Sequence, residues 1–164
     1  MADDLGVNIN GPDSLKGALL YMLIGIAIVS YGGYDYVQQT EAVRESVEVE
    51  ATITELSVET DSGTSSSPGV DYDPTVAFNY VYNGTEHTGT KIYPAEIGQE
   101  YETRSEAESV IEGYEEGIQT TAYVAPSQPG DAFLKNQTTN VPIIAAVLGG
   151  IFTLFATVSA VRKL

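Results

Sequence analysis

The stretch GALLYMLIGIAIVSYGGYDYV, residues 17–37, decides the architecture of this chain. Its only charged residue is Asp35, close to its end, and a second apolar stretch, VPIIAAVLGGIFTLFATVSAV at 141–161, has none. At a rise of 1.5 Å per residue, each stretch is long enough to cross a hydrocarbon core of about 30 Å as a helix. The sequence therefore predicts two transmembrane helices, at 17–37 and 141–161.

The flanks of these stretches predict how the chain is oriented. Residues 1–16 are acidic and no small-residue cleavage site follows the first stretch, which favours an uncleaved anchor over a signal peptide. Lys16 precedes the first stretch, and Arg162 and Lys163 follow the second. Because basic residues favour the cytoplasmic side, the tails 1–16 and 162–164 are expected in the cytoplasm of a two-pass plasma-membrane protein. The central domain is then extracellular.

The segment between the two stretches is strongly acidic. It accounts for most of the net charge of −16 and excludes nucleic acid as a partner, because nucleic acid is bound through Lys and Arg. Such a charge is tolerated where concentrated salt screens it, so the composition resembles the acidic surfaces of halophilic, haloarchaeal proteins. An ordinary acidic ectodomain from a low-salt organism is the alternative. The chain has no cysteine, which excludes disulfides and thiolate metal sites.

Residues 47–134 are predicted to form a small antiparallel β domain, between a connector at 38–46 and a linker at 135–140. The connector is either a short polar segment or a continuation of the first helix. Apolar residues alternate from Val47 to Ile53, and the later apolar positions are out of phase, which predicts a bulge near Thr54 or Glu55. The Ser, Gly, Pro and Asp-rich segment 61–74 is expected to be a loop.

A β-hairpin is the clearest local prediction within this domain. Asn83-Gly84 suits a type I′ turn, which would place Tyr82 opposite Thr85, Tyr80 opposite His87 and Phe78 opposite Gly89. One face then carries a row of three aromatic rings, and Gly89 leaves space for the ring opposite.

One short helix follows, with Ser105 as the expected N-cap and Glu108 completing a capping box. Its apolar stripe is expected to pack on the sheet; it consists of Ala107, Val110, Ile111 and Tyr114. Gly117 opens a last strand at 118–125, and residues 132–134 close the core. The fold class is membrane α plus β: two transmembrane helices flank a small antiparallel β domain with one short helix.

Several of these positions resemble the DUF3592 domain family, a membrane-associated module of undetermined function. The resemblance covers residues 47–134 and rests on Val49-Glu50-Ala51-Thr52-Ile53, on Pro74, Val76, Phe78 and Tyr80 before Asn83-Gly84, and on Gly117, Tyr123, Pro126, Pro129, Ala132 and Leu134. Val124 and Ala125 stand where the family usually has a second Tyr and an Asn or Asp. The resemblance implies flanking helices and no catalytic residue.

No catalytic, cofactor-binding or metal-binding residue is predicted. His87 is the single histidine, and it is expected to be a strand residue packed beside Tyr80 rather than a base or metal ligand. Ser66 and Ser67 lack a nucleophile-elbow context. Three aspartates are expected to be solvated rather than to bind Ca²⁺ or Mg²⁺, because their spacing does not form an EF-hand loop: Asp61, Asp71 and Asp73. The protein is therefore not expected to be an enzyme or to carry a cofactor.

Two sequons, at Asn83 and Asn136, are candidate glycosylation sites if the domain is outside the cell. Asn83 is also explained by the hairpin turn, which makes Asn136 the stronger candidate.

Small residues recur every four positions along the second apolar stretch: Ala145, Gly149, Thr153 and Thr157. They allow close approach of another helix, either the first helix of the same chain through Gly25 or a second copy in a homo-oligomer. The bilayer is the first expected partner, and other envelope or membrane proteins are the next.

The sequence favours a non-catalytic binding or scaffolding module of the cell envelope. The alternative is an accessory subunit whose helices bind a larger membrane enzyme or transporter.

Overall fold

A computed structural model describes residues 14–62, 70–95 and 100–162 of the chain. It divides into two compact units. The helical unit contains the chain up to Tyr34 and from Val141 onward, and the β unit contains Asp35–Asn140.

Two long helices, α1 (Leu15–Glu45) and α3 (Val141–Val161), are long and apolar enough to cross a membrane. Most of their large apolar side chains point outward: Leu148 is 60% exposed and Leu154 is 68% exposed. A core helix of a soluble protein would bury such residues, whereas lipid covers them at no cost. Together with the sheet described below, these helices confirm the predicted membrane α plus β fold class.

Glycines let α1 and α3 lie against each other within the helical unit. A Cβ atom on Gly25 would meet the Thr153 hydroxyl and would lie 2.9 Å from the Gly149 carbonyl oxygen. A Cβ atom on Gly32 would lie 2.7 Å from the Pro142 carbonyl oxygen. Since both distances are too short for a real Cβ, the small residues are used for contact within the chain. The prediction of a homo-oligomer through the second helix stays a prediction.

The β unit is built on one four-stranded antiparallel sheet of order β3-β2-β1-β4. Its elements are β1 (Val47–Ser62), β2 (Val70–Tyr82), β3 (Thr85–Gly89), α2 (Arg104–Ile111) and β4 (Gln119–Val124). The connector predicted at 38–46 is helical up to Glu45, as the last part of α1.

The long pairing of β1 with β2 confirms one prediction and corrects another. Ile53 lies opposite Phe78 and Glu55 opposite Ala77, so the bulge falls at Thr54 as predicted. The prediction of a loop over 61–74 was wrong at both ends, because β1 continues to Ser62 and β2 starts at Val70. Cross-strand pairing outweighs the weak strand propensity of these Asp and Ser residues. Residues 63–69 lie outside the described residues.

The predicted hairpin is confirmed. Tyr80 lies opposite His87 and Phe78 lies opposite Gly89. Asn83 has φ 50° and Gly84 has φ 80°, the positive values that a type I′ turn requires at both central positions.

The segment after β4 links the two outer strands of the sheet. Phe133 exchanges backbone hydrogen bonds of 2.8 and 3.0 Å with Tyr123 of β4. On its other side it forms a bridge with Lys91, in the chain that follows β3. The Leu134 N–H donates to the Lys91 carbonyl at 3.2 Å, and the Lys135 N–H donates to the Ile92 carbonyl at 2.8 Å. The sheet is thereby closed in the manner of a small barrel.

Helix α2 covers the sheet with Ala107, Val110 and Ile111, as predicted, whereas Tyr114, the fourth residue of the predicted stripe, lies after the end of the helix and packs against the core from there. The predicted cap at Ser105 was wrong. The N-cap is Thr103, whose hydroxyl oxygen accepts from the Glu106 N–H at 3.3 Å and whose hydroxyl donates to the Glu106 carboxylate at 2.9 Å. Thr103 with Glu106 and Ser105 with Glu108 both fit the capping-box pattern. The helix starts at the earlier pair, which closely follows the bridge between Tyr72 and Tyr101.

Candidate binding cleft

A cleft of about 500 Å³ opens in the β unit beside β2. Strand β3 pairs with β2 only along Phe78–Tyr82, and the chain then turns away to meet Phe133. The space left beside Asp73–Ala77 is bounded on the other side by residues 90–95 and Tyr101. Its volume is typical of sites for small ligands or single side chains. We call it the β2 cleft.

The lining of the β2 cleft combines apolar, aromatic and acidic groups. The apolar part includes Val76, Ile92 and Val110, all of which belong to the core. The lining also contains two phenol rings, those of Tyr93 and Tyr101, and the Lys91 ammonium group. Three exposed carboxylates belong to it as well: Glu55, Glu59 and Asp73. A few polar groups on an apolar surface are the usual composition of a binding site.

The carboxylates of the cleft repel each other. Asp73 lies directly opposite Glu59 across the β1–β2 pair. Local loss of hydration at the exposed Asp73 carboxyl and the nearby Glu59 charge raise the pKa of Asp73 above its ordinary value of 3.8. Burial is also the main cause that raises the pKa of Tyr101 to about 12, with smaller effects from Tyr93, Asp73 and Glu106. The cleft thus disfavours additional negative charge.

Lys91 lines the cleft and Lys135 lies beside it, and both have other partners. Lys91 Nζ lies 3.3 Å from Asp131 Oδ2. Lys135 Nζ lies 5.7 Å from the centre of the Tyr93 ring, a cation–π arrangement, and burial lowers the pKa of Lys135. Neither contact involves the three carboxylates of the cleft.

A buried polar cluster joins the start and end of the β unit. Gln39 donates to the Asp35 carboxylate at 3.1 Å and to the Thr139 hydroxyl at 3.3 Å. The Thr139 N–H donates to the Gln39 amide oxygen at 2.8 Å. Thr139 also contributes to the lining of the β2 cleft, so the cluster and the cleft are neighbours. Side-chain hydrogen bonds therefore tie the last part of α1 to the segment just before α3.

The structure places His87 where the sequence predicted it. Its ring stacks on Tyr80 with 5.3 Å between centroids and 18° between planes. The Tyr80 hydroxyl in turn donates to the Pro129 carbonyl at 2.8 Å. His87 is therefore part of the packing at the end of the hairpin, and it does not line the β2 cleft.

The three aspartates that were considered as metal ligands lie on strands. Asp61 is opposite Asp71, and Asp73 is opposite Glu59. Within 14–62, 70–95 and 100–162, no group of three or more His, Asp or Glu side chains is arranged to hold a metal ion. Ser66 and Ser67 lie outside the described residues.

Both candidate glycosylation sites have exposed asparagines. Asn83 occupies the turn between β2 and β3. Asn136 follows the closing segment, and its amide oxygen accepts a hydrogen bond from the Ser46 hydroxyl at 3.3 Å. Glycosylation at either position stays a prediction.

Sequence reasoning missed the β2 cleft itself. Tyr93 and Tyr101 come from irregular segments on either side of residues 96–99, which the structure does not describe, and neither carries a motif. The approach of Tyr101 to Asp73 depends on the bridge between Tyr72 and Tyr101, a long-range pairing without a local sequence signal.

These features define the class of protein: a small β domain with one apolar helix before it and one after it in the chain. A family model described as "Domain of unknown function (DUF3592)" matches residues 49–139, more than half of the chain, and the chain therefore belongs to this family. No curated protein matches the sequence.

Proposed function

We propose that this protein is a two-pass membrane protein whose β unit lies outside the cytoplasm and binds another component of the cell envelope without catalysing a reaction. The observation that carries the proposal is the β2 cleft, a concave and mixed apolar and acidic surface on a domain that two apolar helices bracket. A binding module needs such a surface and a fixed place at the membrane.

Three further observations support this proposal. The sheet closes on itself through Phe133, which bridges Lys91 in the lining of the cleft to β4. The helices α1 and α3 pack through Gly25, Gly32 and Gly149, which suits a pair of anchors. Finally, the basic residues Lys16 and Arg162 flank the helices at the ends nearer the chain termini, which favours cytoplasmic termini.

The absence of cysteine in the sequence allows a clean test of the orientation. Single cysteines are introduced as Glu86→Cys, at an exposed position of β3, and as Ala2→Cys, near the N-terminus. A membrane-impermeant maleimide added to intact cells is expected to label the first variant, and to label the second only after permeabilisation. The reverse pattern would contradict an extracytoplasmic β unit.

Affinity capture tests the binding role. The full chain is purified in mild detergent beside a variant in which residues 47–134 are deleted. We expect envelope components to be captured by the full chain and lost with the β unit. A stoichiometric membrane partner that the two helices retain without 47–134 would instead identify an accessory subunit of a larger membrane protein.

A further inference from the structure

We propose that the β2 cleft binds an organic cation, namely an ammonium or guanidinium group carried on an apolar stem. This inference rests on the proposed function and names the ligand class for the same cleft. The cation is either a free amine or the Lys or Arg side chain of a partner, because both present the same charged group.

The charges of the cleft favour a positive ligand, because its lining holds three carboxylates and one ammonium group, Lys91, which is paired with Asp131 outside the lining. Glu59 and Asp73 face each other across two strands, and like charges in directly opposite positions destabilise a sheet. Glu55 adds a third carboxylate to the same lining. A cation between them replaces repulsion by charge-assisted hydrogen bonds, and it also favours the ionised form of Asp73, whose pKa is raised by loss of hydration and by Glu59.

The aromatic and apolar part of the lining requires an organic ligand. Tyr93 and Tyr101 contribute aromatic rings to the lining; Lys135 lies over the Tyr93 ring, and the Tyr101 ring can attract a cation in the same way. Val76, Ile92 and Val110 provide an apolar surface for an alkyl stem. A hydrated divalent metal ion gains nothing from such surfaces, and it prefers six to eight oxygen ligands.

Titration of the full chain, purified in the uncharged detergent dodecyl maltoside, tests the proposal. The probes are agmatine, which is a free guanidinium amine, and N-acetyl-Gly-Arg-Gly-amide, which carries the same group on a peptide. Isothermal titration calorimetry is expected to give saturable binding of at least one probe with one site per chain. Tighter binding of agmatine indicates a small amine as the natural ligand, and tighter binding of the peptide indicates a partner side chain.

The key variant is Glu59→Gln combined with Asp73→Asn. Its dissociation constant is expected to be about tenfold or more higher, because two charge-assisted contacts are lost. The variant also removes repulsion between like charges, so it is expected to fold. Glu48→Gln combined with Glu86→Gln is the matched control, since it removes the same charge from exposed positions outside the cleft and is expected to change the dissociation constant less than twofold.

The ring of Tyr101 gives a second, independent variant. Tyr101→Phe keeps the ring face and is expected to keep binding within about twofold, whereas Tyr101→Leu removes the face and is expected to weaken binding several-fold.

Three results would overturn the inference: no saturable binding of either probe, equal weakening by the cleft and control variants, or tighter binding of Ca²⁺ than of both probes at the same residues. Each of these leaves the maleimide labelling and the affinity capture unaffected. Conversely, a β unit found in the cytoplasm would contradict the proposed function and leave the titration valid.

Discussion

Gly89 and Phe78 show how a single missing side chain shapes the core of the β unit. A Cβ atom at Gly89 would overlap the Phe78 ring, which is fully buried. We expect Gly89→Ala to lower the free energy of unfolding by about 1–3 kcal/mol, because the ring or the strand must shift to admit the methyl group. Chemical denaturation of the purified chain, followed by tyrosine near-ultraviolet circular dichroism, measures this change.

Gly130→Ala is the matched control, since a Cβ atom at Gly130 would meet open space and Gly130 is exposed. Its effect is expected to stay within about 0.5 kcal/mol. Equal destabilisation by both variants would show that the contact with Phe78 is unimportant.

Asp73 is expected to make stability depend on pH. Its pKa is raised in the folded protein by local loss of hydration and by Glu59, so protonation favours the folded state. The corresponding stability is fully present below the unfolded value of about 3.8 and is lost as the pH rises through the higher folded value. Asp73→Asn is therefore expected to raise the melting temperature at pH 7 and to have little effect below pH 4.

Melting temperatures of the two proteins between pH 3 and pH 7 test this expectation. Glu48→Gln serves as a control for the loss of one negative charge from an exposed strand position. A constant difference between Asp73→Asn and the natural chain at every pH would contradict the role of Asp73.

At the scale of elements, the start of α2 is set by Thr103. Its side chain accepts from the Glu106 N–H and donates to the Glu106 carboxylate. Thr103→Ala is expected to cost about 0.5–2 kcal/mol, because the cap hydrogen bonds are lost. Ser105→Ala, two residues later and inside the helix, is expected to change stability by less than about 0.5 kcal/mol. Denaturant midpoints of the two variants distinguish the two cap positions, and a larger effect of Ser105→Ala would contradict the observed start.

The same elements show which kinds of structure the sequence predicts. The hairpin was predictable to the residue, because Asn83-Gly84 fixes both the turn type and the register. The bulge at Thr54 was predictable because a change in the phase of apolar residues requires an extra residue. The ends of β1 and β2 were not, because their Ser and Asp residues have the composition of a loop and become strands only by pairing with each other.

For the whole molecule, the net charge of −16 makes stability depend on salt. Self-repulsion between exposed carboxylates decreases as salt shortens the Debye length, from about 10 Å at 0.1 M to about 3 Å at 1 M. If the composition reflects a halophilic origin, the melting temperature is expected to keep rising with KCl up to multimolar concentration. A plateau above about 0.2 M would instead indicate an ordinary acidic ectodomain.

A variant with lower charge separates screening from other effects of salt. Glu48→Gln, Glu50→Gln and Glu86→Gln together remove three charges from exposed strand positions. This triple variant is expected to have a higher melting temperature at 0.1 M KCl and a smaller increase with added salt. An unchanged slope would show that KCl acts through something other than charge.

Some features of the whole molecule can be predicted from the sequence, and others cannot. The two apolar helices follow from composition alone, and the structure confirms them. The β2 cleft does not, because it depends on where β3 leaves β2 and on the Tyr72–Tyr101 bridge. Both result from contacts between residues far apart in the chain, and the residues involved have no common local pattern.

The position of Phe133 has a consequence for biosynthesis. Phe133 is synthesised after all four strands, and fewer than ten residues separate it from the start of α3. Until then, β4 and the chain after β3 present open strand edges, which readily join with other chains. Completion of the domain and insertion of the second helix thus fall in the same short interval of synthesis. A nascent chain halted before Ala132 would carry an unfinished sheet tethered to the bilayer by one helix.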